Sequence, residues 1–305
     1  MLGFEGDSRE QPTPPLESVL FRSPLATVGS FRAGPEHPRF SDSGPIENFV
    51  FVFPRSAVWI RHRGEQAFVA DPTVITFYNR GQVYWRGRIS DCGDCCEWFA
   101  LAPEAVLEAV RCFTPDAEEH PERPFSFSHA RSSPWLYLRQ RLLVRQLEAG
   151  RNPDALRTEE TCLELLHGAL ASAFQPTPVP SRPSTRADRR QRELAHEAAS
   201  ILAKSFREPL TLSALAVQLR VSAGHLCRVF RRHVGTRLHR YRDDLRLRTA
   251  LEEIARSRDL TDLALELGYS SHSHFTAAFR SSFGKVPSEV RRRMGARSSA
   301  RSGIR

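Results

Sequence analysis

Two short stretches of this 305-residue chain place reactive side chains at spacings that suggest chemistry. In "SHSHFTAAFRSSFG", Ser271 to Gly284, His272 and His274 stand in the H-x-H arrangement that metal enzymes often display. In "DCGDCCEWF", Cys92, Cys95 and Cys96 lie among Asp91, Asp94 and Glu97. That second group can hold zinc or copper only if a further ligand such as Cys112 or His120 joins it, and its spacing is not a pair of zinc knuckles. Its acidic neighbours raise thiol pKa values, which works against a reactive thiolate. Inert thiols, a redox or electrophile sensor and a metal site all remain open for it. The histidine pair turns on secondary structure. Residues two apart on a helix point about 200° away from one another, so on a helix these two rings cannot share a metal.

The elements around the histidines are helical, and they occur twice. "TLSALAVQLRVSAGHLCRVFRRHVG" and "DLTDLALELGYSSHSHFTAAFRSSFG" superpose with Thr211 on Asp259, Leu215 on Leu263, Ala216 on Ala264, Leu219 on Leu267 and Ser222 on Ser270. After a one-residue insertion Leu226 falls on Phe275, Phe230 on Phe279 and Gly235 on Gly284. Each copy reads as a capping residue, a short apolar-striped helix, a tight turn, a Ser able to cap and a second helix. That is a helix-turn-helix, twice over. Arg220 departs from the pattern, because it stands where the second copy has Gly268 and where a left-handed turn favours glycine.

With Leu226, Val229 and Phe230 turned inward, the first recognition helix leaves Ala223, Gly224, Cys227, Arg228, Arg231 and Arg232 for a partner. With Phe275, Ala278, Phe279 and Phe283 inward, the second leaves His272, Ser273, Thr276, Ala277 and Arg280. Arg228 is the best candidate for a guanine, whose O6 and N7 a guanidinium engages in bidentate fashion, and Ala and Thr methyls suit a thymine methyl. Arg231, Arg232 and Arg280, nearer the helix ends, suit phosphates, which position without specifying. Between the copies, apolar residues from Leu238 to Ile254 keep helical spacing over some twenty residues, long enough to set the two readers in neighbouring major-groove segments.

Charge points the same way. From Arg186 onward the chain holds 25 Lys and Arg against 12 Asp and Glu, whereas the first 185 residues hold 19 against 23. A basic end joined to a mildly acidic one is the footprint of a polyanion-binding domain. "QPTPVPSRPSTRADRR" separates the two with linker composition. Before it, "PWLYLRQRLLVRQLEAG" and "DALRTEETCLELLHGALASAF" read as a helical pair, and residues 16–102 hold short β-rich runs of an antiparallel sandwich or barrel. Six scattered cysteines argue for free thiols. No run reaches the ~18 apolar residues of a membrane span, and the first residues lack a signal-peptide pattern, so a cytoplasmic protein is expected.

The run "LALELGYSSHSHFTAAFRSSFGKVPSEVRR" resembles the DNA-binding domain of the AraC/XylS family of bacterial transcriptional regulators, over about residues 190–293. The resemblance implies an α+β chain. A cupin-like sensor barrel is expected over 1–130, a helical pair for dimerisation over 131–174, a Pro-rich linker over 175–188, a double helix-turn-helix domain over 189–293 and a basic tail over 294–305. The expected partners are double-stranded DNA, a second copy of the chain, a small-molecule effector and RNA polymerase. No membrane partner, cofactor, metal or catalytic residue is expected, because the barrel region offers only isolated histidines such as His37 and His62. A DNA-repair methyltransferase can carry a similar module, but no Cys follows a Pro, so its Pro-Cys-His-Arg nucleophile motif is missing. A purely architectural DNA-binding protein is the remaining alternative, to be separated by comparing specific with nonspecific affinity.

Overall fold

The short β-branched and aromatic runs of the N-terminal half form strands, because alternate side chains bury on one face between turns rich in Gly, Pro and Asp. The computed structural model describes residues 16–114, 119–150, 154–175 and 185–295. Most of the expected linker, 176–184, and most of the basic tail, 296–305, lie outside the described residues. The runs read from sequence become β4 (Val50–Pro54), β5 (Val58–His62), β6 (Phe68–Ala70), β7 (Val74–Tyr78) and β8 (Tyr84–Arg88). They are joined by β1 (Glu17–Arg22), β2 (Ala26–Ala33), β3 (Asp42–Ser43), β9 (Asp94–Leu101) and β10 (His129–Arg131).

The strands make two antiparallel sheets, ordered β1-β2-β9-β4-β7-β10 and β3-β8-β5-β6, not one closed barrel. The cysteine group is split, since Cys95 and Cys96 lie within β9 and pair with Arg32 and Phe31 of β2, whereas Cys92 is exposed in the turn before that strand. Along β9 the pleat sends Asp94, Cys96, Trp98 and Ala100 toward a cavity of about 390 Å3 that is also lined by residues of the other sheet. Trp98 lies flat over Gly29, where a Cβ would come within 2.2 Å of the indole. Burial pushes the Cys96 and Cys95 thiols above their ordinary range. The other face of the larger sheet carries Phe51, Phe53, Ile75, Phe77 and Phe99 into a core shared with the C-terminal half and with three helices of its own half. These are α1 (Pro103–Arg111), α2 (Pro134–Glu148) and α3 (Ala155–Ala173). The last two are the helical pair expected from sequence, and α1 was not expected.

The C-terminal half is helical throughout its described residues: α4 (Arg186–Ser205), α5 (Leu212–Gln218), α6 (Ala223–Val234), α7 (Leu238–Glu253), α8 (Leu260–Glu266), α9 (His272–Phe283) and α10 (Pro287–Gly295). No described helix is long and apolar enough to cross a membrane. The connecting helix α7 has 16 residues, so it spans about 24 Å and not the longer reach its flanking apolar residues suggest.

One stripe of α7, at intervals of three or four residues, is polar and faces the N-terminal half. Tyr241 donates to Asp71, Arg131 reaches Asp244 at 3.0 Å, and Arg248 donates to the Ser132 carbonyl. At its end Glu252 meets Arg141 at 2.6 Å and Arg55 at 2.5 Å, and those two arginines also hold Glu97 of β9 at 2.9 and 3.1 Å. Burial works against the Glu252 carboxylate, but Arg141 and Arg55 outweigh it and hold its pKa below the ordinary range.

Candidate nucleic-acid interface

Two helix pairs, α5 with α6 and α8 with α9, present the surface on which the expected binding residues lie. Thr211 caps α5 by accepting from the Ala214 amide at 3.1 Å, and Asp259 caps α8 through Thr261 at 2.6 Å. The second helices are capped by Ser222, through His225, and by Ser271, through His274. The sequence alignment had put Ser270 on Ser222. The inserted residue falls one position earlier, and Ser270 instead meets the His274 ring at 3.2 Å.

Both first helices end in the same turn. The Val221 amide bonds the Ala216 carbonyl and Arg220 bonds Val217; in the second pair Tyr269 bonds Ala264 and Gly268 bonds Leu265. This is a Schellman ending, which needs a left-handed residue after the cap. Arg220 is that residue in the first pair, at φ 55°, and it is the single non-glycine residue with positive φ among the described residues. Gly268 fills the place in the second pair at φ 81°, where a Cβ would lie 2.5 Å from the Arg207 carbonyl oxygen. Only the second turn is closed to a side chain by its surroundings as well as by its φ.

The second helix of each pair rests on a buried apolar stripe. Leu226 and Phe230 are wholly buried beneath α6, as are Phe275 and Phe279 beneath α9. On the outward side of α6, Gly224, Cys227, Arg228 and Arg231 are exposed and Ala223 is half-buried. Arg232 is exposed but turned toward α4, where Asp188 lies 3.6 Å away. Of the six candidates on α6, it is the one already engaged within the protein by an ion pair.

On α9, His272, Ser273, Thr276, Ala277 and Arg280 line one shallow depression. Sequence reasoning missed Ser281, which stands one turn beyond Ala277 on the same face of α9, and Val286, which lies past the end of the helix where spacing no longer picks out a face. His272 faces this depression, whereas His274 packs against the Tyr269 ring, so the two imidazoles diverge as helix geometry requires. The Thr276 hydroxyl is buried without a hydrogen-bond partner.

The cavity between the sheets is a second site, of which sequence reasoning touched only Asp94 and Cys96, as members of the cysteine group and not as part of a cavity. Arg86 and Asp94 face one another there at 2.7 Å, and the Arg86 guanidinium sits over Phe31 at 4.4 Å. Burial raises the Asp94 carboxyl despite the pull of Arg86. The signal that could have found them is the two-residue alternation within "DCCEWFAL".

A family of helix-turn-helix domains matches residues 215–293. The chain is 39% identical over 93 residues to the HTH-type transcriptional regulator GlxA of Rhizobium meliloti, covering 30% of this chain and 28% of that protein. It is 33% identical to the transcriptional activator RhaS of Escherichia fergusonii, over 28% of this chain and 31% of that one. It is likewise 33% identical over 88 residues to the regulatory protein SoxS of Salmonella typhimurium, covering 28% of this chain and 82% of SoxS. The match thus spans under a third of GlxA and of RhaS, but most of SoxS. Among solved structures, an AraC-type regulator from Chromobacterium violaceum is similar over 36% of this chain and 96% of that one, at 29% identity and a TM-score of 0.32. ToxT of Vibrio cholerae aligns over 88% of this chain and 98% of that one, at 9% identity and a TM-score of 0.33.

Proposed function

Because the chain belongs to the AraC/XylS family of transcriptional regulators, we propose that it is a sequence-specific DNA-binding regulator whose two helix-turn-helix motifs, α5–α6 and α8–α9, read neighbouring major-groove segments. The observation that carries this reading is the pair of exposed outward faces, held on buried apolar stripes and joined by one helix about 24 Å long. Base reading falls to Arg228, Cys227, Ala223 and Gly224 on α6 and to His272, Ser273, Thr276 and Ala277 on α9. Arg231 and Arg280 hold phosphates, and Arg232 joins them if it leaves Asp188. The two faces differ in chemistry, so the target is non-palindromic within one chain.

The cupin-like N-terminal part is the sensor, and a small effector occupies the cavity between its sheets. A second copy docks on α2 and α3, where Trp135 is 57% exposed and Leu156 64%. The protein acts in the cytoplasm on nucleoid DNA, with RNA polymerase as a further partner, and carries out no catalysis. The deciding experiment maps the DNA that the full chain protects in cells, then compares affinity for that element and for a scrambled one at fixed salt. A large preference is expected. Equal affinity would leave an architectural role instead.

A further inference from the structure

Three of the chain's histidines, far apart in sequence, converge on a cavity that neither the DNA-reading faces nor the sheet cavity uses. It holds about 400 Å3 and lies where β6, β7 and β10 meet α3, α4, α6 and α7. His129 of β10, His196 of α4 and His233 of α6 line it together with Arg131 and Tyr241. Its apolar wall is built from Val69, Val74, Ala130, Ala199 and Val234. No carboxylate lines it among the described residues. The nearest ones lie behind the lining and are already partnered: Asp188 by Arg192 at 3.0 Å, with His233 at 3.9 Å, Asp244 by Arg131 at 3.0 Å and Arg240 at 3.2 Å, and Asp71 by Tyr241.

We propose that this cavity is a binding site for a small organic carboxylate, separate from the effector cavity between the sheets. Its polar lining is dominated by donors and its remaining wall is apolar, which suits a compact anion with an apolar body. A cation would find no negative charge. A shared metal is disfavoured because no three His, Cys, Asp or Glu side chains among the described residues are disposed to hold one, and His196 Nδ1 already accepts the Val69 amide at 3.4 Å. That hydrogen bond puts the proton of the neutral His196 ring on Nε2, so the ring can donate to a ligand. His129 is held by stacking on Phe68 at 4.0 Å, with its Nδ1 against the Ser128 hydroxyl at 3.0 Å. His233 has its Nε2 buried without a hydrogen-bond partner, with the Asp188 carboxylate 3.9 Å away, beyond hydrogen-bond reach.

The charges around the three rings explain what a carboxylate would change. Burial pushes His196 down to about 4 and His129 down to about 3, aided by neighbouring cations and imidazoles, while Asp188 only partly offsets burial at His233. The facing groups are His62, Asp71, His129 and Arg131 from the sheets, Asp188, Arg192 and His196 from α4, Arg232 and His233 from α6, and Arg240, Tyr241 and Asp244 from α7. The three imidazoles are therefore neutral near neutral pH. A bound carboxylate supplies the negative charge that favours the imidazolium, so binding takes up a proton and tightens as pH falls.

The test uses the full chain and butyrate as the probe, with butyramide as its uncharged counterpart and inorganic phosphate as an anion without an apolar body. Butyrate is expected to shift the ring signals of His129, His196 and His233 together while the Trp98 indole, in the other cavity, stays put. Its affinity should rise by up to about tenfold for each pH unit between roughly pH 7.5 and pH 5.5, with proton uptake in calorimetry. His196→Gln should weaken butyrate about tenfold or more. Should that variant melt early, the less buried His233→Gln carries the same expectation. Butyramide binding as tightly as butyrate, phosphate binding in its place, or shifts confined to Trp98 would each overturn the proposal. None of these readouts involves DNA, so the regulator reading stands or falls separately.

Discussion

The two helix pairs share a turn, a capping scheme and an inward stripe, yet they are built on different foundations. The first is lightly cored, with Phe230 meeting Tyr241 at 5.3 Å, and it shares its apolar cluster with Val69 of β6 and with Ala57 and Ile89 at the ends of β5 and β8. The second carries a run of touching rings, Tyr269, Phe275, Phe279 and Phe283, and its cluster continues into α2, α3 and the larger sheet. Outwardly the contrast reverses. The first face is rich in arginine, and the second is mostly small and neutral. A repeat can thus keep its backbone frame while one copy specialises in charge and the other in scaffold.

The largest test of that contrast is aromatic deletion. Phe279→Ala should cost ~3–5 kcal/mol, because a fully buried ring leaves a cavity between two others that cannot collapse onto it. Denaturant unfolding should show Phe230→Ala costing less, since fewer rings surround it, and an equal cost would erase the distinction. Acid comes next. An unfolded histidine titrates near 6.5, whereas folded His196 titrates at about 4 and His129 at about 3. The unfolded chain therefore binds protons that the folded chain refuses, and stability falls as pH drops through that window. His196 alone accounts for a loss on the order of 3 kcal/mol. These rings lie against the first pair, so hydrogen exchange should rise there before it rises in α8 and α9.

Arg228→Ala should cost about 1–3 kcal/mol on the cognate element and relax one base pair, with the melting temperature unchanged. Equal losses on cognate and scrambled DNA would make Arg228 a phosphate contact. The smallest effect belongs to the turns. Arg220→Gly should stabilise by up to about 1 kcal/mol, because it relieves a left-handed arginine. Gly268→Ala should destabilise, since its Cβ meets a backbone oxygen; thermal melts of both variants would show opposite signs if the turns differ as described.

Helical spacing and caps made the C-terminal half legible from sequence, because periodicity reports which side of a helix is buried. The inward roles of Leu226, Phe230, Phe275 and Phe279 were readable for that reason, as was the anomaly at Arg220. The N-terminal half was harder. "ATVGSFRA" holds small and polar residues that weaken a strand signal, and β9 was hidden behind its cysteines and acids. Its charged Asp94 and Glu97 belong inside because Arg86, Arg55 and Arg141 come to them from distant parts of the chain. Pairings across such separations leave no periodic trace, which is also why the three-histidine cavity could not be foreseen.

The polar stripe of α7 bears on how freely this chain can exchange parts. Tyr241, Asp244, Arg248 and Glu252 find their partners in Asp71, Arg131, Ser132, Arg141 and Arg55, all on the far side of the linker. A graft of these helices onto foreign sheets would strand buried charges, each costing several kcal/mol unless water or a new partner reached it. The stripe works as a lock cut for one key. Successful recombination with another sensor must carry matching residues along with the fold, and mismatched chimeras should be lost to misfolding before their DNA specificity is ever tested.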